Sequence, residues 1–253
     1  WEKSSIKGVE VTGKILGVIG CGNIGSIVVD RALGLKFKVI VFDPFLQNEK
    51  AKEMGIEKVD LKDLFKRSDF ITIHTPLTEK TKNIINNDAF KIMKKGVRIV
   101  NCARGGLIDE EALKKNLESG HVASAALDVF VNEPPKNSPL IGTKNLIMTP
   151  HLGASTTEAQ EKVALQVAEQ ISDYLKTGAI TNAVNTFSLT ASEYNTVQPY
   201  LKLSEQLGGF AGQLTENAIK KITVEFEGAV SKINTQPLIQ TIICFLLKKN
   251  FDG

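Results

Sequence analysis

The chain has 253 residues, 42% apolar and 23% charged, enough for one large or two modest packed domains and inconsistent with wholesale disorder. Its 31 basic and 28 acidic side chains leave a net charge of +3 and are scattered along the sequence, which argues against a nucleic-acid partner. The longest apolar stretch, residues 237–247, is too short to span a membrane and no signal-peptide pattern opens the chain. The three cysteines are too widely spaced for a disulfide framework or a zinc site, so a cytoplasmic, membrane-free setting is expected.

From the N-terminus, residues 14–20 (KILGVIG) are a short apolar run ending in glycine, the pattern of a buried parallel strand. Ile24, Ile27, Val28 and Leu35 then recur at near-helical spacing and predict a helix over 24–35. A second strand is expected at 38–43 (KVIVFD), short helices at 49–54 and 61–67, and a third strand at 70–73 (FITI). A helix at 88–93 leads to a strand at 97–101, and Asp109 is placed to N-cap a helix over 109–119. Strands follow at 123–129 and 146–148. This alternation implies βαβ units and an α/β fold built on a doubly wound parallel sheet. Residues 156–175 read as one amphipathic helix carrying Val163, Val167, Ile171 and Leu175, with Gly178 as its stop. Residues 179–193 are small and polar, as in a linker. Beyond them, a helix over 194–217, an alternating strand over 219–226 and a helix over 237–247 read as part of a smaller α+β domain.

The first strand runs into Gly20-Cys21-Gly22-Asn23-Ile24-Gly25, a G-x-G-x-x-G spacing with a strand before it and a helix after. Gly20 permits the tight turn, Gly22 lets a pyrophosphate approach the backbone, and Gly25 lets the helix pack closely. The helix N-terminus offers unpaired N–H groups to the phosphates. Glycine turns are common, so the spacing alone is weak. It is strengthened by Asp43, which ends the second strand eighteen residues after Gly25. A carboxylate there can hold a ribose diol and repel a 2′-phosphate, which selects NAD over NADP. The plainer reading of Asp43 is a solvated turn residue before Pro44. Two further strand ends should line the same crevice, one with His74, Thr75 and Pro76 and the other with Asn101, Cys102, Ala103 and Arg104. The expected organisation is a Rossmann-type NAD-binding domain over 1–153, a helix and linker over 154–182, and an incomplete further domain over 183–253.

Three polar residues follow strands: Arg104, Glu133 and His151. Hydride exchange between a 2-hydroxy acid and NAD requires a proton to move on the substrate oxygen, and histidine suits that step. A carboxylate beside it favours and orients the imidazolium, and a guanidinium can grip a substrate carboxylate at two points. Each residue also has a structural alternative. His151 could be a surface or capping residue, Glu133 a solvated loop charge, and Arg104 a clamp on a backbone carbonyl. His74 is a competing base without an evident acidic partner, and His121, after Gly120, reads as a helix C-cap.

GKILGVIGCGNIG, NCARGGLIDEEAL, AALDVFVNEPP and MTPHLGAST, in that order, resemble the D-isomer-specific 2-hydroxyacid dehydrogenases over about residues 1–182. VQPYLKLSEQLGGFAGQL and IKKITVEFEG resemble the start of the extra regulatory region found in the longer members. The resemblance implies that Arg104 binds substrate, Glu133 tunes the histidine and His151 is the acid/base. It also implies NAD contacts from Asn23, Ile24, Asp43, Thr75, the Cys102–Ala103–Arg104 strand end, Asp128 and the His151 loop with Gly153. The implied reaction is oxidation of 3-phospho-D-glycerate to 3-phosphohydroxypyruvate, the first committed step of serine synthesis, by a dimer or tetramer. The alternatives are glyoxylate or hydroxypyruvate reduction, or an NAD-sensing binding protein on the same scaffold. Family members carry a long segment before the point matching Trp1 that supplies most of a substrate domain. The chain therefore reads as a fragment expected to bind NAD and to turn over poorly.

Overall fold

The computed structural model describes residues 8–215 and 219–248. The chain divides into two compact units, Trp1–Thr156 and Thr157–Gly253. In the first, β1 (Ile15–Ile19), β2 (Lys38–Phe42), β3 (Glu57–Lys58), β4 (Phe70–Ile73), β5 (Val97–Asn101), β6 (Val122–Leu127) and β7 (Leu146–Met148) form one sheet in the order β3-β2-β1-β4-β5-β6-β7. Every pairing is parallel. The connecting helices are α1 (Asn23–Gly34), α2 (Asn48–Glu53), α3 (Leu61–Arg67), α4 (Asn87–Ile92) and α5 (Glu110–Glu118).

Strand periodicity places the core on both faces. Leu16 and Val18 of β1 join Val39 and Val41 of β2 in one cluster, packed on Val29 and Ala32 of α1. Ile19 and Ile40 point the other way, to Leu64 and Phe65 of α3 and the larger cluster with Ile71, Ile73, Ile99 and Leu113. The chain reverses direction across the sheet between β1 and β4, which opens a crevice at the C-terminal ends of the strands, where ligands of such sheets sit.

The sequence expectations agree with these elements to within a residue or two, apart from β3, whose two residues are too short to show a period. Asp109 caps α5 by accepting from Ala112 N–H at 3.0 Å. His121 is not the cap of that helix. Gly120, in the left-handed region at φ +71°, donates its N–H to Leu117 O and closes the turn, while His121 Nε2 is buried without a partner.

The second unit holds α6 (Thr157–Thr177), α7 (Ala191–Leu214) and α8 (Gln236–Leu247). Thr190 and Glu193 form a reciprocal capping box at the start of α7, and Leu189, Val197 and Leu238 make a small core. None of the α6 side chains is buried, and Val163, Val167, Ile171 and Leu175 are exposed. The strand expected at 219–226 is not formed. An alternating stretch becomes a strand only when a neighbour completes its ladder, and among the described residues this unit contains no strand. The predicted end of the helix at Asn217 lies outside the described residues.

Candidate active site

The candidate residues sit in the loops that leave β1, β2, β4, β5, β6 and β7 at the C-terminal edge of the sheet. After β1, Gly20 adopts φ +91°, and a Cβ there would lie 2.7 Å from His74 O. A Cβ on Gly25 would lie 2.1 Å from Gly20 O, so the start of α1 packs directly on the turn. A Cβ on Gly22 would meet nothing within 4 Å, which leaves open space in front of the loop. Gly22 is the N-cap of α1, no side chain caps the helix, and its first turn holds no acidic residue. That combination of bare N–H groups and room fits a pyrophosphate.

Asp43 Oδ2 accepts from Cys21 N–H at 2.7 Å and Oδ1 from Phe45 N–H at 2.8 Å, so the carboxylate ties the end of β2 to the glycine loop. Burial, then the charge on Asp43, raise the Cys21 thiol above its ordinary value. After β4, Thr75 Oγ1 is buried without a hydrogen-bond partner, and a polar ligand in the crevice would satisfy it. Pro76 O accepts from Thr81 Oγ1 at 2.6 Å. His74 Nε2 lies 2.9 Å from Thr72 Oγ1, and burial pushes its imidazole below the ordinary value. A histidine so held is disfavoured in its charged form and has no acidic partner among the described residues, which makes it a poor rival for the base.

After β5, the buried Asn101 shapes the turn. Its Oδ1 accepts from Ala103 N–H at 3.0 Å and its Nδ2 donates to Arg104 O at 3.0 Å. Cys102 is exposed, with its thiol raised by burial of the sulfur and then by the charge on Asp128. The Arg104 side chain is exposed and donates from Nη1 to Ala103 O at 2.6 Å. The carbonyl contact considered for Arg104 is therefore present, and Arg104 makes no hydrogen bond to Glu133 or His151.

Those two residues do meet. His151 Nδ1 lies 2.7 Å from Glu133 Oε2, and Glu133 Oε1 accepts from Phe130 N–H at 3.0 Å. The bond to His151, then that from Phe130, hold the Glu133 carboxyl below its ordinary value. An ionised carboxylate on Nδ1 fixes that nitrogen as the N–H and leaves Nε2 to exchange a proton. The pair lies on the wall of a cavity of about 380 Å³ shared with Phe130, Pro134, Met148 and Pro150.

His151 sits in the left-handed region at φ +54°, which is costly for a side chain with a Cβ. Its N–H donates to Asp128 O at 3.0 Å, and the Asp128 carboxylate holds the rest of the loop. Oδ1 accepts from Thr149 Oγ1 at 2.5 Å and Leu152 N–H at 2.8 Å, and Oδ2 from Gly153 N–H at 2.9 Å. Burial opposes ionisation of Asp128, but these bonds outweigh it, with His151 adding a smaller pull, so its pKa is lowered. Asp128, implied by the resemblance as a cofactor contact, thus also holds the histidine loop in place.

A carboxylate whose folded pKa lies below its unfolded value adds stability above about pH 4 and loses it as pH falls through the folded value. Asp69, Asp128 and Glu133 all shift in this direction. Thermal melts should therefore show the midpoint falling as pH drops below about 4. Asp128→Asn should melt lower at neutral pH and lose less on acidification. An equal slope in wild type and variant would remove Asp128 from the effect.

The sheet order, the bare glycine loop and the acidic group after β2 are the construction of a dinucleotide-binding α/β domain of the dehydrogenase type. Residues 1–153 match the family model described as D-isomer specific 2-hydroxyacid dehydrogenase, NAD binding domain, and residues 196–252 match the D-3-phosphoglycerate dehydrogenase intervening domain. The chain belongs to the D-isomer specific 2-hydroxyacid dehydrogenase family, and its first unit contains the family's NAD-binding domain. D-3-phosphoglycerate dehydrogenase of Bacillus subtilis (strain 168) is 40% identical over 253 residues, covering 100% of this chain and 48% of that protein. The Synechocystis enzyme of the same name is 46% identical over 250 residues, covering 98% of this chain and 45% of that protein. The chain thus spans about half the length of the curated relatives it matches. Among solved structures, a glyoxylate reductase from Paecilomyes thermophila aligns with TM-score 0.67 and 35% identity over 73% of this chain and 56% of that one. D-lactate dehydrogenase from Aquifex aeolicus, complexed with NAD and lactic acid, aligns with TM-score 0.63 and 31% identity over 69% and 57% of the two chains.

The resemblance did not single out Gly105 or Glu110, and Asn101, expected to line the crevice and hydrogen-bond the cofactor, is instead buried with its side chain committed to the turn. Gly105 stands where a Cβ would lie 1.8 Å from Phe130 O, so the β5 and β6 loops touch backbone to backbone. No helix among the described residues is long and apolar enough to cross a membrane.

Proposed function

We propose that the natural protein oxidises 3-phospho-D-glycerate to 3-phosphohydroxypyruvate with NAD, the step that opens serine synthesis. The observation that carries this reading is the 2.7 Å bond between His151 Nδ1 and Glu133 Oε2 at the ligand edge of an NAD-binding sheet. His151 Nε2 takes the proton from the substrate 2-hydroxyl, and Glu133 holds the positive charge that the ring gains. Bound NAD supplies the hydride acceptor. Arg104, swung from Ala103 O, grips the substrate carboxylate at two points. In the reverse direction the imidazolium returns its proton to the oxygen. The first-turn N–H groups of α1, Asp43 and Thr75 Oγ1 hold the dinucleotide. The match of 196–252 to the intervening domain favours this substrate over glyoxylate or hydroxypyruvate, and the paired histidine favours an enzyme over a sensor. The three unpaired cysteines support a reducing compartment.

In calorimetric titrations of this chain, NAD should bind at least about tenfold more tightly than NADP, because a carboxylate held at the end of β2 beside the glycine loop would repel a 2′-phosphate. Asp43→Asn should narrow that ratio. The natural full-length protein should form NADH from NAD with 3-phosphoglycerate. Tight NAD binding without turnover on 3-phosphoglycerate, glyoxylate or hydroxypyruvate would leave the sensor reading in its place.

A further inference from the structure

We propose that Glu110 is a positioning residue for the Glu133–His151 pair, acting through the loop that carries Glu133. The inference rests on reading that pair as the acid/base. Glu110 lies in the first turn of α5, and its carboxylate spans the loop at two points. Oε1 accepts from Val131 N–H at 2.9 Å and Oε2 from Ser138 Oγ at 2.8 Å. Val131 and Ser138 lie on either side of Glu133, so both arms of the loop are tied to one carboxylate.

Apart from the backbone contact at Gly105, the first arm of the loop is open on this side. Val131 is 57% exposed, and a cavity of about 550 Å³ opens between the loop and the segment containing Ile108 and Glu110. The anchor itself is rigid. Ile108 is buried, Asp109 N–H donates to Ile85 O at 2.9 Å, and the Asp109 side chain caps α5. On the histidine side, Asp128 holds Thr149, Leu152 and Gly153. Glu110 is the counterpart on the glutamate side, and together the two carboxylates set the separation across which Glu133 meets His151. A general base is sensitive to small displacements, so loosening one support should reach the rate before it reaches cofactor binding.

Glu111 provides a matched control, since it is a second glutamate in the same helical turn and makes neither of these bonds. In the natural full-length protein, Glu110→Ala should lower kcat about tenfold with NAD affinity unchanged. Glu110→Gln should recover most of the loss, because its amide can accept from Val131 and donate to Ser138 Oγ. Ser138→Ala, the milder variant if Glu110→Ala folds poorly, should show a smaller decrease. On a Glu133→Ala background, Glu110→Ala should cost less than about a further twofold, since its route to the histidine is already gone. A full multiplicative loss on that background, an equal loss in Glu111→Ala, or wild-type kcat in Glu110→Ala overturns the proposal. If the wild type itself does not turn over, the functional reading fails, and the positioning role is decided by ¹⁵N spectra of the three histidines. Glu110→Ala should shift the His151 ring nitrogens in the same direction as Glu133→Ala, and unmoved signals overturn it.

Discussion

In the natural full-length protein, replacing His151 with asparagine should lower turnover by about 10²–10⁴-fold while NAD affinity changes little. Asparagine is short and polar, and its backbone can adopt the left-handed conformation that this position requires at φ +54°. The loop therefore keeps its bonds to Asp128, and the loss reports on proton transfer rather than on folding. What asparagine lacks is a nitrogen that can take a proton and return it near neutral pH. His74 cannot substitute, because its ring is bonded to Thr72 and burial disfavours its charged form. Steady-state kinetics and NAD titration on the same preparations check this, and an asparagine variant within about threefold of wild type would rule out His151 as the base.

What could be read from the sequence was what repeats or lies close in the chain. Leu16, Val18 and Ile19 alternate between the two faces of the sheet, and apolar runs of that kind mark a strand without knowledge of its neighbours. The glycine loop and Asp43 are also separated by a single helix and strand, so their spacing already suggests that they meet, as the bond between Cys21 and Asp43 shows they do. His151 and Glu133 were placed by chemistry and resemblance, and their bond joins two adjacent loops eighteen residues apart. The supports of this pair were less visible because each depends on a distant partner. Glu110 reaches Ser138 across 28 residues, and nothing in GLIDEEAL says that its first glutamate bonds to a loop while its second makes neither bond. The stretch 219–226 fails for the opposite reason. Its local pattern is a strand pattern, but pairing is a tertiary property, and no partner strand is present among the described residues.

Gly105 and Gly22 separate the structural and cofactor-binding demands on glycine within one domain. Gly105→Ala should lower the melting midpoint by roughly 6–12 °C, the shift expected for a core clash of about 3 kcal/mol in a unit of this size. Its Cβ would lie 1.8 Å from Phe130 O and 2.8 Å from Val131 N, and both neighbours are backbone. No rotamer change relieves that contact, so the β5 and β6 loops must part. Arg104 sits at the end of one loop, and the other carries Glu133, so on the proposed function kcat of the natural full-length protein should fall with stability. Gly22→Ala should lower the midpoint by only about 1–3 °C, the mild cost of alanine at a helix N-cap, because the added methyl meets no protein atom within 4 Å. The same methyl occupies the space in front of the bare helix N-terminus, so NAD affinity should fall by about tenfold or more. Calorimetric melts and NAD titrations of the two variants should therefore give opposite patterns. A stable Gly105→Ala would mean that the loops do not touch as described. Unchanged NAD affinity in Gly22→Ala would mean that the pyrophosphate does not bind at this turn.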